Sequence, residues 1–198
     1  ECDSDSLPPI ERSLDRMSTL IDDLLTLARK GAPVGEMESV DLGGLARSCW
    51  RTIETGDATL AVETDRTIVA DRSRLRQLLE NLVRNAVEHG STSNRPTDDA
   101  VEHGATDVHS APAVTVTVGD LPDGFYVADD GPGIPDADRA AVFDAGYSTA
   151  SDGTGLGLQI VERIADAHGW TVDVAGSDDG GTRIEVTGVE LGSGTVSS

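Results

Sequence analysis

The chain has 198 residues, enough for one or two small domains with a real hydrophobic core. Asp and Glu total 36 against 15 Lys and Arg, giving a formal net charge of −21, and Lys30 is the only lysine. Such a surface repels phosphodiester backbones and argues against nucleic-acid partners, while no apolar run approaches a membrane span and no secretory leader is visible.

The first predicted element covers residues 8–30. Ile10, Leu14, Met17, Ile21, Leu24 and Ala28 recur at alternating spacings of four and three, a heptad seam, and Leu20, Leu25 and Leu27 widen it as a bundle helix requires. Pro8 and Pro9 suit its entry and Gly31 its exit. Residues 31–40, with Gly31, Pro33 and Gly35, read as a linker, and a domain is expected over 41–190. Asp41 is a candidate N-cap for a short helix reaching about Ile53. Strand patterns follow at 59–64, 67–70, 114–119, 124–129, 170–175 and 182–189. Helices are expected near 72–89 and 155–168, with a shorter one near 136–142. Strands with interspersed helices predict an α+β two-layer sandwich, one sheet covered by helices on one face.

Residues 90–112 are polar and end in Ala111-Pro112, and Ala100-Val101-Glu102-His103-Gly104 repeats Ala86-Val87-Glu88-His89-Gly90. A loop this long reads as a mobile insertion, without a catalytic role. His103 and His109 lack a partner cluster and read as solvent-exposed. Cys2 and Cys49 are isolated thiols, which suits a reduced cytoplasmic protein better than a zinc site or disulfide. The acids are scattered among periodic apolar segments, so a folded acidic surface is expected instead of disorder. Many Asp, a single Lys and small apolar side chains resemble the composition of proteins from extreme halophiles. The chain opens on Glu1 and reads as a fragment, which leaves membrane association of a longer parent open.

Three segments carry chemistry. On the helix from Leu75 to Gly90, Asn81 and Asn85 are four residues apart and share a face, whereas Val83 and Val87 fall elsewhere and can pack. Amide oxygens are hard, neutral ligands suited to a Mg²⁺ ion that bridges phosphates; a solvated asparagine pair is the blander alternative. Two asparagines inside an otherwise apolar helix ask for a reason, because Asn is a mediocre helix former. Next, Asp129 ends the run Phe125-Tyr126-Val127-Ala128 and precedes Gly131, Gly133 and Ile134. A carboxylate there can accept a hydrogen bond from an exocyclic amine, and glycine admits a flat ring; an ordinary Asp-Gly turn is the alternative. Last, Gly153-Thr154-Gly155-Leu156-Gly157-Leu158 opens a helix, whose exposed amides favour phosphate. A dinucleotide fingerprint is excluded by context, since no βαβ unit with an acidic ribose ligand follows.

In this order the segments resemble the N, G1 and G2 boxes of the histidine-kinase ATP-binding domain, a member of the GHKL superfamily. The resemblance implies that ATP is contacted by Asn81, Asn85, His89, Asp129, Gly131, Gly133, Ile134, Gly153, Thr154, Gly155, Leu156, Gly157 and Leu158. It implies that Asn85 ligates Mg²⁺ and that Asp129 reads the adenine amino group; it assigns no catalytic residue. Leu14 to Leu25 resembles the second helix of the family's dimerisation hairpin. Phe143 resembles the F box, although a core aromatic reads equally well, and residues 136–152 would form the ATP lid.

The chain also departs from the family. The glutamate that activates water in the ATPase branches would stand at Asn81, and Glu80 lies about 100° around the helix. The expected lid has only one basic residue, Arg139, and Glu88 stands where the family often has lysine. None of His89, His103, His109 and His168 has the acceptor context, so the phosphoacceptor is expected outside this chain. The resemblance therefore implies the ATP-binding portion of a two-component sensor kinase, working with a dimerisation helix and a response regulator. A silent nucleotide-binding regulatory module and a GHKL-type ATPase are the alternatives.

Overall fold

The computed structural model describes residues 34–90, 113–139, 141–143, 155–178 and 180–192. The helix expected at 8–30, residues 91–112, and Gly153 with Thr154 lie outside the described residues.

The described chain begins with β1 (Glu38–Asp41) and α1 (Leu42–Trp50). The Asp41 carboxylate accepts the Gly44 N–H at 2.9 Å, so the predicted N-cap is realised. The helix stops at Trp50, short of Ile53, where the Thr52 N–H and hydroxyl both donate to the Cys49 carbonyl. Then come β2 (Thr59–Glu63), β3 (Thr67–Ala70) and the long α2 (Arg72–Gly90). Leu75, Leu78, Leu79, Leu82, Val83 and Ala86 give α2 a buried stripe, each large side chain contributing about 1.5–3 kcal/mol on burial. After residue 113 follow β4 (Thr115–Leu121), β5 (Gly124–Asp129), α3 (Gly157–His168), β6 (Thr171–Gly176) and β7 (Thr182–Thr187).

Five strands form one mixed sheet in the order β2-β4-β5-β7-β6, with β2 parallel to β4 and the other pairs antiparallel. The register lines up Val62, Val118, Val127, Ile184 and Val174 in one apolar row. Strand period two sends the neighbouring row, Glu63, Gly119, Tyr126, Glu185 and Asp173, to the other face. The apolar face lies under the helices: α1 packs on β2, α2 on β4 and β5, and α3 on β6, while α2 also packs between α1 and α3. Phe125 meets Trp170 edge-on in this core, with ring centroids 6.4 Å apart. The result is the expected two-layer α+β sandwich.

Two elements differ from the sequence expectation. Residues 38–40, within the stretch read as a linker, belong to β1, which pairs antiparallel with β3 so that Val40 faces Ile68, both fully buried. Residues 190–192 close on the same strand, through Val69 N–H to Glu190 O and Gly192 N–H to Thr67 O. The helix expected near 136–142 is replaced, among the described residues, by turns. Asp138 N–H bonds Pro135 O and Ala141 N–H bonds Asp138 O, three residues back instead of four.

Candidate nucleotide-binding site

The packing of α2 against α3 brings two of the three motifs together. Asn81 is 5% exposed, and its Nδ2 donates to the Gln77 carbonyl one turn back at 2.9 Å. Asn81 and Asn85 both border Gly157, the first residue of α3. A methyl group at Gly157 would meet Asn85 Oδ1 at 2.9 Å, Asn85 Nδ2 at 3.2 Å and Asn81 Oδ1 at 3.4 Å. Gly155, at φ +65°, turns the chain into this helix, and no side chain caps its start at Leu156. Leu156 and Leu158 anchor the turn by packing on the core. The amide-rich, positive end of α3 thus lies beside two carboxamides, an arrangement suited to phosphate.

Asp129 is the last residue of β5, on the same face as Phe125 and Val127, and is 9% exposed. Its Oδ1 accepts two backbone N–H groups, from Gly131 at 2.9 Å and Thr182 at 3.2 Å. Gly131 abuts the end of α2: a methyl there would meet Gly90 Cα at 2.7 Å. Gly133 takes φ +72° and faces the carbonyls of Gly180 and Gly181. Ile134 is half-buried, and its carbonyl accepts from Arg139 Nε at 3.3 Å. The first glycine segment is therefore joined to the C-terminal end of the asparagine helix.

Gly181 and Thr182 were missed by the sequence reading. A methyl at Gly181 would collide with the Asp129 backbone and carboxylate, and the Thr182 amide orients that carboxylate. The available signal was Gly180-Gly181 directly before a strand, which marks a close backbone approach.

Several sequence candidates stand apart. Arg139 is engaged locally, with Asp136 at 2.8 Å and the Ile134 carbonyl. Glu80 pairs with Arg76 at 3.7 Å, and Arg76 Nη2 in turn donates to Ser48 Oγ of α1 at 3.4 Å. The Cys49 thiol lies 3.8 Å from the Arg76 carbonyl, so this pair stands on the side of α2 that faces α1; burial, then the Glu80 charge, pushes that thiol up to about 11. Glu88 is exposed and Phe143 half-buried. Of His89 only the backbone is described, as part of α2. Among the described residues no three His, Cys, Asp or Glu side chains converge as a metal site, and no helix is long and apolar enough to cross a membrane.

The asparagine-bearing α2 and the glycine-started α3 are also tied at their far ends. His168, at the C-terminus of α3, accepts the Asp71 backbone N–H on Nε2 at 3.1 Å, while Nδ1 lies 2.7 Å from the Ile164 carbonyl. Burial lowers the His168 pKa, outweighing the Ile164 hydrogen bond and the Asp71 charge, so the neutral ring is favoured. Asp71 in turn caps α2, its Oδ1 accepting from Ser73 and Arg74 N–H. Burial raises its pKa, but the backbone donors Arg74, Gly35 and Ser73, with the Arg74 charge, bring it below the ordinary value.

The chain is similar in sequence and in fold to known proteins. The sensor histidine kinase ZraS of Klebsiella oxytoca is 31% identical over 172 residues, covering 82% of this chain but 33% of its own length. The C4-dicarboxylate transport sensor protein DctS of Rhodobacter capsulatus is 37% identical over 120 residues, covering 61% of this chain and 16% of its own. The chain thus spans a minor part of these relatives. Among solved structures, full-length ShkA in complex with AMPPNP superposes with TM-score 0.66 at 31% identity, covering 94% of this chain and 39% of that one. The mycobacterial sensor histidine kinase MprB, at 23% identity, shares the fold with TM-score 0.58, covering 79% of this chain and 98% of that chain. The sequence pattern of the histidine kinase-, DNA gyrase B-, and HSP90-like ATPases matches residues 70–191, from the end of β3 through both glycine segments to the closing bridge on Ile68. By that match over most of its length, and by a fold shared with solved kinases, the chain belongs to the family of histidine kinase-, DNA gyrase B- and HSP90-like ATPases.

Proposed function

We propose that this chain is the ATP-binding catalytic portion of a two-component sensor histidine kinase. It binds Mg²⁺–ATP and donates the γ-phosphoryl to a histidine on a dimerisation helix, for relay to an aspartate of a response regulator. The single observation that carries this reading is the contact of Asn81 and Asn85 with Gly157, which sets two carboxamides against the N-terminal end of a helix. Asn85 supplies the oxygen for Mg²⁺, a hard neutral donor next to that amide-rich end. The metal, when bound, neutralises phosphate charge, which matters most where transfer is chiefly positioning. Asp129, oriented by two amides, accepts from the adenine amine. Gly131, Gly133 and Ile134 border the base, while Gly153, Thr154, Gly155, Leu156, Gly157 and Leu158 supply phosphate contacts. We place the domain in the cytoplasm of its cell.

The ATPase reading is disfavoured by two residues. Asn81 has no proton-accepting carboxylate, and Glu80 is paired with Arg76, which reaches Ser48 on the α1 side of the helix. Incubation with γ-labelled ATP and a separately supplied acceptor helix tests the proposal. Acid-labile, base-stable label on the acceptor histidine supports it. Steady multiple-turnover release of phosphate without acceptor labelling would favour the ATPase, and ATP binding without either would favour a silent regulatory module.

A further inference from the structure

We propose that Asp130 is a positioning residue for nucleobase specificity that acts through Asp129; this rests on the reading of Asp129 as the adenine-recognising group. The ladder between β4 and β5 ends with the pair Val116 and Asp129. Beyond it, the Thr115 N–H donates to Asp130 Oδ1 at 2.7 Å. The neighbouring Thr59 N–H bonds the Val114 carbonyl, so the residue-114 peptide edge faces β2 and the Thr115 N–H faces β5. In a continuing antiparallel pair that N–H would meet the Asp130 backbone carbonyl. The Asp130 carboxylate stands in for it and lets β5 leave the sheet one residue after Asp129 without orphaning a strand donor.

This side chain therefore sets where the turn begins. Gly131 follows directly, donates to Asp129 Oδ1 and is wedged against Gly90. Strand alternation sends Asp130 to the face of the sheet opposite α1, α2 and α3, where it is exposed and lines a groove with Thr115, Tyr126 and Arg183. It thus acts on the base by fixing its neighbour. Loss of the Thr115 bond frees the last residue of β5 and the turn that orients the Asp129 carboxylate.

The test compares Kd values for Mg²⁺–ATP, Mg²⁺–GTP and inorganic tripolyphosphate in the full chain and its variants. Asp130→Ala removes the acceptor, Asp130→Glu keeps the charge but moves the acceptor by one methylene, and Asp130→Asn keeps the acceptor without the charge. Because ATP and GTP carry the same phosphates, the effect of charge cancels in their ratio. The Ala and Glu variants should lower the preference for ATP about fivefold, as loss of one orienting hydrogen bond would. Asp130→Asn should keep the wild-type ratio, and tripolyphosphate should bind the Ala and Asn variants alike. If Asp130→Ala fails to fold, Asp130→Glu decides. A wild-type ratio in the Ala or Glu variant, or an equal loss in Asp130→Asn, overturns the proposal while leaving the Asp129 reading intact. No ATP preference in the wild type, or none lost in Asp129→Asn, overturns that reading and this proposal with it.

Discussion

Asn85 of α2 and Gly157 of α3 are in such close contact that one methyl group on the glycine would reach the Asn85 carboxamide oxygen at 2.9 Å. The absence of a side chain at residue 157 is therefore a condition for Asn85 to stand at the helix end. Two residues 72 positions apart in sequence meet there because α2 and α3 pack side by side on one face of the sheet.

Gly157→Ala should displace the Asn85 carboxamide while leaving the fold intact, since the atoms nearest the added methyl are the ends of the Asn85 and Asn81 side chains. Mg²⁺–ATP affinity should fall about tenfold or more, a loss near 1.4 kcal/mol, with the melting temperature unchanged or raised. Equilibrium binding and a thermal melt on the same sample separate the two effects. Unchanged affinity would mean that binding does not depend on where the Asn85 carboxamide stands.

Asp129→Asn keeps an acceptor for the Gly131 and Thr182 amides but removes the charge. Loss of a charge-assisted hydrogen bond to an adenine amine should weaken ATP by about 1.5–3 kcal/mol. A competition titration of ATP against GTP reads the effect. Equal weakening of both would indicate a general disturbance and not a lost base contact.

The His168 link predicts a pH dependence of stability. Its folded pKa lies below the ordinary 6.5, so the folded state favours the neutral ring. That contribution is complete above the unfolded pKa and is lost as pH falls below 6.5 through the folded value. The melting temperature should be flat near neutrality and fall on acidification below pH 6.5, and His168→Gln should flatten that segment. The Asp71 contribution belongs to a lower window, since its folded pKa lies below 3.8 and is lost only as pH falls through it. A profile for His168→Gln as steep as wild type from 6.5 to 5 (about the range a histidine spans) would count against the link.

Cys49 should be inert in the native protein. It is fully buried and its thiol is pushed up to about 11 by burial and Glu80, so little thiolate exists near pH 8. Native labelling with an aromatic disulfide reagent should leave Cys49 unmodified, and unfolding should release it, as peptide mapping would show. Rapid native labelling would place the thiol nearer the surface than the packing of α1 on α2 allows.

The sequence made α2 and β5 legible because their signals are local. The leucine stripe and the Asn81–Asn85 spacing lie on one helix, and Asp129 follows an uninterrupted apolar run. What could not be read depends on pairing between distant segments. β1 has a single buried residue, Val40, and exists through its register with β3. Thr182 reaches Asp129 across 53 residues because β7 lies beside β5. A short helix was expected near 136–142, but Asp136 and the Ile134 carbonyl hold Arg139 and, among the described residues, tight turns form instead. The order of N-helix and glycine segments was legible, whereas the contact between Asn85 and Gly157 required the fold.

Titration calorimetry of ATP, with and without Mg²⁺, on the wild-type chain and Asn85→Ala tests the central claim most directly. Measurements at several salt concentrations allow for self-repulsion within a surface of net charge −21. The expected result is saturable one-site binding that Mg²⁺ strengthens in the wild type, and binding indifferent to Mg²⁺ in Asn85→Ala. Wild-type binding that ignores Mg²⁺, or an equally Mg²⁺-dependent Asn85→Ala, would contradict the assignment of this helix face as the metal–phosphate site.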